Sequence, residues 1–463
     1  MKRFTLVAFL LVVGMVSLFG QAKPGGIARE LAMGGSNAGT MLVLNPFIMD
    51  DPSLMLVNPA YQASYRDYAW ANVAGGALTG LSSGGGPIGD DGYGNQFAGV
   101  AFGLNDQWSV GAILSYDPSA ANLNNTLIAG GGLFPAFTQA PRTAQSIPAI
   151  ANVWEASAAY RASSIDFGVG FMYGWSNSDN NFNTSTPTSG TREASSSMWG
   201  VRGGVNANLG GGSSLDASVA YRNDKATDNR TSSPVVAANS GNYSSSASEF
   251  QANLRFKLNV SSKFNFVPYG TLVSISAEPK EDVPPSTVSG TQISEKATVL
   301  AYALGAGGEY RTSSFYFAGG VSWQSLRLKG EYNAPLPTGS ITNTITYTAI
   351  PVLNLGGEWW FTDWLAGRAG YFRSIGKINT KSESTGGTSE SNFSSPNSFV
   401  SIGGINPGNY DGMVTMGLGF KFGGACIDAT VSEEALRRGL GLIGASDNIN
   451  SFGYLTASFA FGD

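Results

Sequence analysis

The sequence predicts an all-β fold, a transmembrane antiparallel β-barrel of fourteen to sixteen strands, for which the direct count is sixteen. Apolar and polar residues alternate with period two over segments of about ten residues. Short and long connections follow one another in strict alternation, and tryptophans gather near the proposed strand ends. Charged residues make up only 13% of the chain and glycine 62 of 463 residues, a composition typical of a turn-rich all-β protein.

The composition also excludes whole classes of chemistry. The chain has no histidine, which excludes Ser-His-Asp and Cys-His nucleophiles, histidine-ligated zinc and imidazole proton relays. The single Cys426 leaves no intramolecular disulfide and no cysteine metal cluster. A net charge of −5 disfavours general nucleic-acid binding. We therefore expect no enzyme activity, no catalytic residue, no cofactor, no metal site and no nucleic-acid partner.

The first residues resemble a targeting signal. Lys2 and Arg3 precede an apolar run over 4–19, and the small residues Gly20 and Ala22 offer cleavage positions. This predicts a secretory signal peptide over 1–22 and export of the mature chain. A membrane anchor is the alternative, but the apolar run is shorter than the ~20 residues that a spanning helix needs.

Alternation is clearest in four segments, in which every second residue is apolar: 165–175, 250–258, 414–422 and 455–461. A strand of a soluble β-sandwich would alternate as well, so the connections decide between the two folds. Seven links are short, and longer polar stretches separate them. Outer-membrane barrels sort their turns and loops by length in this way, with the short turns on the periplasmic side. The short links lie near 104–107, 160–164, 208–213, 260–263, 309–313, 360–363 and 422–425, and the long loops near 79–93, 117–151, 176–196, 223–247, 278–296, 329–345, 374–411 and 432–450.

Tryptophan placement supports a membrane barrel, because amphipathic rings collect at the membrane–water interface. In a soluble core, tryptophan would lie in the middle of strands more often. Trp70 is the exception to the pattern. The tryptophans near proposed strand ends are Trp108, Trp154, Trp175, Trp199, Trp323, Trp359, Trp360 and Trp364.

Residues 23–64 do not alternate and precede the barrel, which we place at 65–463. Asp51-Pro52 and Asn58-Pro59 are turn initiators, and Gly34-Gly35 permits a tight backbone turn. The paired carboxylates of Asp50 and Asp51 favour a turn over acid–base catalysis or calcium binding. The segment is either an irregular periplasmic leader or a plug inside the lumen, since side chains alone cannot fill a barrel of this size.

The ordered motifs of this segment resemble the FadL/TodX superfamily of outer-membrane hydrophobic-compound transporters, and the related PorV/PorQ-like proteins of Bacteroidetes-type bacteria. The matching stretches are Ala-Met-Gly-Gly at 32–35, Asp-Asp-Pro-Ser at 50–53 and Asn-Pro-Ala at 58–60. Tyr61 stands where the family often has glycine. The resemblance implies a lumenal N-terminal hatch, capture of hydrophobic ligands at the outer loops and sideways exit into the membrane. It also implies fourteen strands, against the sixteen counted here. The hatch motif comprises Gly34, Gly35, Asp50, Asp51, Pro52, Asn58, Pro59 and Ala60.

Two further sets of residues are candidates for ligand contact. Leu133, Phe134 and Phe137 form an apolar island in a polar loop, either as a capture surface or as loop packing. The alternation also places charged side chains in the lumen, either as a selectivity lining or as ordinary ion pairs. The lumen candidates are Arg255, Lys257, Arg368 and Lys421, together with Asp166 and Glu249.

The sequence therefore predicts an outer-membrane barrel for passive uptake of hydrophobic, long-chain fatty acid-like compounds through a hatch-gated lumen. Its partners are outer-membrane lipids and a hydrophobic small molecule. The alternative is a PorV-like interaction or shuttle protein that binds components of a secretion or surface-attachment system. A transporter needs a continuous apolar pocket between hatch and wall, which an interaction barrel does not.

Overall fold

The fold was analysed in a computed structural model. The residues that it describes are 25–35, 45–74, 97–115, 152–183, 189–233, 241–282, 292–333, 340–384, 386–394, 413–431 and 452–461. The predicted signal peptide and the loop residues Leu133, Phe134 and Phe137 lie outside these ranges. Within them, no helix is both long enough and apolar enough to cross a membrane.

One short α-helix and two 3-10 helices precede the strands. They are α1 (Ile27–Ala32), the first 3-10 helix (Pro52–Leu56) and the second 3-10 helix (Pro59–Ala63). The strands are β1 (Tyr68–Ala74), β2 (Phe97–Gly103), β3 (Trp108–Ser115), β4 (Asn152–Ala162), β5 (Ile165–Asn183), β6 (Ser189–Gly210), β7 (Ser213–Ser233), β8 (Gly241–Asn259), β9 (Phe264–Asp282), β10 (Gln292–Arg311), β11 (Phe315–Asn333), β12 (Ser340–Trp360), β13 (Leu365–Ser384), β14 (Gly387–Ser394), β15 (Met413–Phe422), β16 (Ala425–Val431) and β17 (Phe452–Ala460).

The strands form a closed antiparallel barrel. Consecutive strands pair with each other, except that β15 pairs with β13 and not with β14. β1 pairs with both β2 and β17, so that Trp70 lies opposite Gly99 on one side and Ser458 on the other. β14 and β15 occupy the same position around the barrel, because they pair with different halves of β13. The barrel thus has sixteen strand positions, as counted from the sequence, and not the fourteen that the family resemblance implies.

All seven predicted short links are tight turns of two to four residues, for example between β4 and β5 and between β6 and β7. Positive φ angles at Ser163, Gly211, Gly212 and Gly423 close three of these turns. All seven lie at the same end of the barrel, which we call the short-turn end. The opposite end is the distal end.

The two faces of the barrel wall differ in polarity. On β5, the side chains of Phe167, Val169, Phe171, Tyr173 and Trp175 are exposed and alternate with inward-facing residues. Exposed apolar rows of this kind occur around the barrel and form the outer band that faces lipid in a membrane barrel. Inward-facing polar residues are buried. Trp70 is among the buried side chains, which explains why it departs from the pattern of the other tryptophans.

The expectation of long polar loops is wrong for four of the connections. In these, the stretches 176–196, 223–247, 278–296 and 329–345 are mostly paired strand, so that β5–β12 form tall hairpins. Consequently Trp175 and Trp199 lie within strands and not at their ends. The polar residues that suggested a loop belong to strands that continue past the apolar band, where outward-facing positions no longer need apolar side chains.

Candidate functional site

Residues 25–35 and 45–67, here called the N-terminal segment, pack on the inner face of the barrel. α1 contacts β13, β15, β16 and β17, and the second 3-10 helix contacts β3, β4, β5 and β6. Phe47 packs in a buried cluster with Val267 and Tyr269 of β9. The segment therefore contacts strands around most of the circumference.

Arg29 on α1 lies at the centre of a buried ion cluster. Its Nη1 lies 2.9 Å from Oδ2 of Asp51 in the same segment, and its Nε lies 2.9 Å from Oε2 of Glu358 on β12. Arg368 on β13 lies 2.7 Å from the same Glu358 oxygen and 2.6 Å from Oδ1 of Asp428 on β16. The cluster thus joins the N-terminal segment to three strands through groups that water does not reach.

Two carboxylates of this cluster also hold backbone N–H groups. Asp51 begins the first 3-10 helix, and its Oδ1 accepts hydrogen bonds from the N–H groups of Ser53 at 2.9 Å and Gly26 at 2.8 Å. Oδ2 of Asp428 accepts a hydrogen bond from the N–H of Gly25 at 3.0 Å. A carboxylate that caps a helix start satisfies donors that the helix itself leaves unpaired. The turn predicted at Asp51-Pro52 is therefore also an attachment point.

Asn58 plays the same double role at the second 3-10 helix, where Pro59 is the first helical residue. Its Oδ1 accepts a hydrogen bond from the N–H of Ala60 at 2.9 Å. Its Nδ2 donates to Oδ1 of Asp216 at 2.5 Å and to the backbone carbonyl of Ala217 at 3.2 Å. Asn58 therefore fixes the helix start and ties it to β7.

Three arginines of the barrel wall share one arrangement. Each forms an ion pair with a barrel carboxylate and also donates to a backbone carbonyl of the N-terminal segment. They are Arg255, which pairs with Asp216 and donates to Ile48 at 2.9 Å; Arg202, which pairs with Glu155 and donates to Met55 at 2.7 Å; and Arg161, which pairs with Asp166 and donates to Ala63 at 2.7 Å. Because the carboxylate orients the guanidinium, each donor is preset for its carbonyl.

Glycines on the inner face let the N-terminal segment approach the barrel backbone. A Cβ added to Gly168 on β5 would lie closer than 3.0 Å to backbone atoms of Pro59 and Ala60. A Cβ at Gly370 on β13 would meet the backbone N of Gly34 in the same way. Gly34 itself has a φ of +73°, which disfavours any side chain. The predicted turn at Gly34 thus coincides with a close approach.

Glu30 is a buried carboxylate of α1 with an unusual pKa. Burial and repulsion by Asp51 raise its pKa from 4.5 to about 7, although Ser53 Oγ donates to it and the N–H of Asn45 donates at 3.3 Å. Burial also raises the pKa of Asp51, against the opposing effect of Arg29. The packed segment therefore favours a proton on this carboxylate pair.

This pKa predicts how attachment of the N-terminal segment depends on pH. Between pH ~4.5 and ~7 the packed state keeps a proton that the released state loses, so packing weakens as pH rises through this window. For a difference of one bound proton, the equilibrium constant between the packed and released states should change about tenfold per pH unit. Protease protection of the segment measures the profile. Glu30→Gln should flatten it, and a flat profile in the unmodified protein would contradict the prediction.

Distal to the N-terminal segment, buried apolar residues cover the inner face of β9–β13, together with Ala247 of β8. Along β9, Val273 and Ile275 are buried and face inward, whereas Ser274 is exposed and Ser276 faces outward. In the membrane band the outward-facing residues are apolar and the inward-facing ones are polar, so the two faces exchange their character here. The buried residues of this surface, here called the apolar wall, are Ala247, Val273, Ile275, Ala277, Ala297, Val299, Ala301, Leu326, Leu328, Tyr347, Ala349, Val352, Phe372 and Ile378.

The apolar wall adjoins the N-terminal segment. Met33, Phe47 and Ile48 of the segment pack against Val267 and Tyr269 on β9, which lie directly below Val273 and Ile275 toward the short-turn end. An apolar surface of the lumen therefore runs from the distal hairpins down to the segment. The side chains of the apolar wall pack against one another, and each is 0–8% exposed.

The residues predicted from the sequence lie in three places. Arg255 and Arg368 are buried in the ion pairs described above, and Lys257 and Lys421 are half-buried at inward register positions near the short-turn end. Asp166 pairs with Arg161, and Glu249 lies beside the apolar wall. The motif residues Gly34, Gly35, Asp50, Asp51, Pro52, Asn58, Pro59 and Ala60 all lie in the N-terminal segment.

Sequence reasoning missed Arg29, Glu358 and Asp428, and it missed the apolar wall. Glu358 and Asp428 occupy inward positions of strands, so alternation could have placed them in the lumen. The pairing of Glu358 with Arg29, 329 residues away in the chain, required the closed barrel.

No family model matches the chain, and no curated protein does. Among solved structures, the toluene transporter TodX of Pseudomonas putida matches 95% of this chain and 97% of its own, at 11% identity and a TM-score of 0.35. A FadL homologue of Pseudomonas aeruginosa matches 96% and 100%, at 12% identity and a TM-score of 0.37.

An uptake receptor is matched at a similar level. The ferric yersiniabactin receptor FyuA of Yersinia pestis matches 79% of this chain and 70% of its own, at 10% identity and a TM-score of 0.33. TodX and the FadL homologue are of the superfamily that the motifs at 32–60 resemble. Similarity this low carries no statement about activity, which is argued below from the lumen itself.

Proposed function

We propose that this chain is a bacterial outer-membrane channel for the passive uptake of hydrophobic compounds with a long apolar chain, of fatty acid-like size. The apolar wall carries the proposal, because it provides an apolar surface inside a barrel whose membrane band has a polar interior. Burial stabilises an apolar molecule by roughly 25 cal/mol per Å² removed from water. A wet pore offers no such gain, so an ordinary porin has no use for this surface.

In this proposal the N-terminal segment acts as the hatch below the apolar wall. Its support is the set of buried contacts at Arg29, Asp51 and Asn58, which attach the segment to opposite sides of the barrel. The motif residues then serve to hold the hatch, through helix caps and close backbone approach, and do not contact the ligand. Release of part of these contacts would open the path toward the short-turn end.

The alternative of a PorV-like interaction protein is not favoured. Such a barrel presents its binding surface to a protein outside the lumen and has no need of a continuous apolar inner surface.

One pair of variants tests the apolar wall directly. Ile275→Asn places an amide on the wall and should weaken binding of a long-chain molecule about ten- to hundredfold, the effect of losing roughly 1.5–3 kcal/mol of apolar burial. Ser276→Asn, at the next residue on the opposite face, is the matched control and should have no effect. Fluorescence of a bound neutral hydrocarbon probe measures affinity in the purified protein. Equal affinities for the two variants would refute a ligand site on this wall.

A further inference from the structure

The inner surface changes character at β8. On its β9 side lies the apolar wall, where Ile275 is opposite Glu249 and Val273 is opposite Gln251. On its β7 side, Arg222 is opposite Glu249. Glu249, Gln251 and Asn253 are inward-facing residues of β8, and we call them the polar strip. A molecule lying on the apolar wall therefore meets the polar strip along one edge.

The polar strip is rich in acceptors and carries negative charge. Arg222 lies 2.5 Å from Oε2 of Glu249 and 3.4 Å from Oδ1 of Asp224, so one guanidinium serves two buried carboxylates. Within the part of the chain that the structure describes, no second cation pairs with either carboxylate. Gln251 donates its own N–H to Glu249. Arg222, Glu249 and Asp224 together have a net charge of −1.

Asn253 supplies an independent sign of a ligand. Its side chain is 4% exposed, yet neither its amide nitrogen nor its amide oxygen has a hydrogen-bond partner among the described residues. A buried polar group without a partner is unfavourable by about 1–3 kcal/mol, so native proteins rarely keep one. The cation next to it on β8, Arg255, is already engaged by Asp216 and by the carbonyl of Ile48. Asn253 is thus free to bind a molecule in the lumen.

We propose that the ligand is amphipathic and that its polar end is a hydrogen-bond donor, such as an amine or a hydroxyl group, held by the polar strip while its chain lies on the apolar wall. A free carboxylate would face two buried carboxylates with no unpaired cation, and like charges repel strongly where water is excluded. This inference rests on the proposed function and narrows it. The ligand has a hydrocarbon tail like that of a fatty acid, but its head group is not an acid.

Competition binding with three ligands of equal chain length tests the proposal. The full-length protein, held in amphipol near neutral pH, is loaded with a neutral fluorescent hydrocarbon, which is then displaced by hexadecylamine, hexadecanol or hexadecanoic acid. We expect the amine to displace the probe at a concentration at least about tenfold lower than the acid, with the alcohol between them.

Two variants separate the polar strip from the apolar wall. Glu249→Gln should remove most of the preference for amine over acid, and Asn253→Leu should weaken the alcohol and the amine about tenfold; both should leave the affinity for the hydrocarbon probe unchanged. Glu331→Gln, in an exposed ion pair with Lys329 on β11, is the matched control and should change nothing.

The outcomes distinguish this inference from the proposed function. If the acid binds as well as the amine, the inference is overturned while the channel for hydrophobic compounds stands. If the hydrocarbon probe itself does not bind, the proposed function is overturned, and the inference falls with it.

Discussion

Replacing Arg29 by methionine is expected to release the N-terminal segment from the barrel. Methionine keeps the length of the side chain but removes the charge that Asp51 and Glu358 share. Glu358 still has Arg368, whereas Asp51 loses its buried ion-pair partner. An uncompensated buried charge is unfavourable by about 3–5 kcal/mol, which shifts the equilibrium toward the released state by about a hundred- to five-thousandfold.

Planar-bilayer conductance and protease cleavage within 25–67 measure this release, and both should rise. Arg66→Met is the matched control, because Arg66 belongs to the same segment but pairs with Asp67 at 3.9 Å near the surface, where an ion pair contributes little. If Arg29→Met stays closed and resistant to protease, the ion cluster does not hold the segment, and the hatch proposal loses its main support.

Adding one methyl group at Gly168 is expected to displace the second 3-10 helix. The new Cβ of Gly168→Ala would overlap backbone atoms of Pro59 and Ala60, and backbone cannot move aside as the end of a flexible side chain can. Overpacking of this kind is unfavourable by about 1–3 kcal/mol. The strain falls where Asn58 joins β7, so we expect these hydrogen bonds to weaken first.

Hydrogen exchange of the amides in 58–65, followed by mass spectrometry, should become about ten- to hundredfold faster in this variant. Gly203→Ala provides the comparison, because Gly203 lies on the neighbouring strand β6 and an added Cβ there would meet only the carbonyl oxygen of Gly168, at 3.8 Å. Unchanged exchange in Gly168→Ala would show that the helix is not held against the wall. The Arg29 and Gly168 variants thus test charge pairing and steric fit at two separate attachments.

The barrel itself follows from local sequence features. Two-residue alternation decides which side chains face lipid, as the exposed row from Phe167 to Trp175 shows. Tight turns require residues that accept a positive φ, and Gly211-Gly212 marks such a turn in the sequence. Both features involve only a few consecutive residues, so they can be recognised without knowledge of the fold. Together they allow the sixteen strands to be counted.

Strand length could not be predicted in the same way. Residues 176–183 are polar apart from Phe182 and look like a loop, but they pair with β6 as a continuous hairpin. Hydrogen bonding between backbones keeps the strand intact after the membrane band ends, and it leaves little trace in side-chain polarity. The same extension produces the apolar wall, whose inward residues are apolar where the outward ones are wet.

The barrel, its number of strands, its turns and the motifs at Gly34, Asp51 and Asn58 follow from patterns that can be recognised in the sequence. What those motifs attach to depends on the tertiary fold. Arg29 reaches Glu358 and Asn58 reaches Asp216 because closure of the barrel brings distant strands around one short segment. Local patterns encode which face a side chain occupies, whereas its partners across the lumen depend on the registers of all the strands between them.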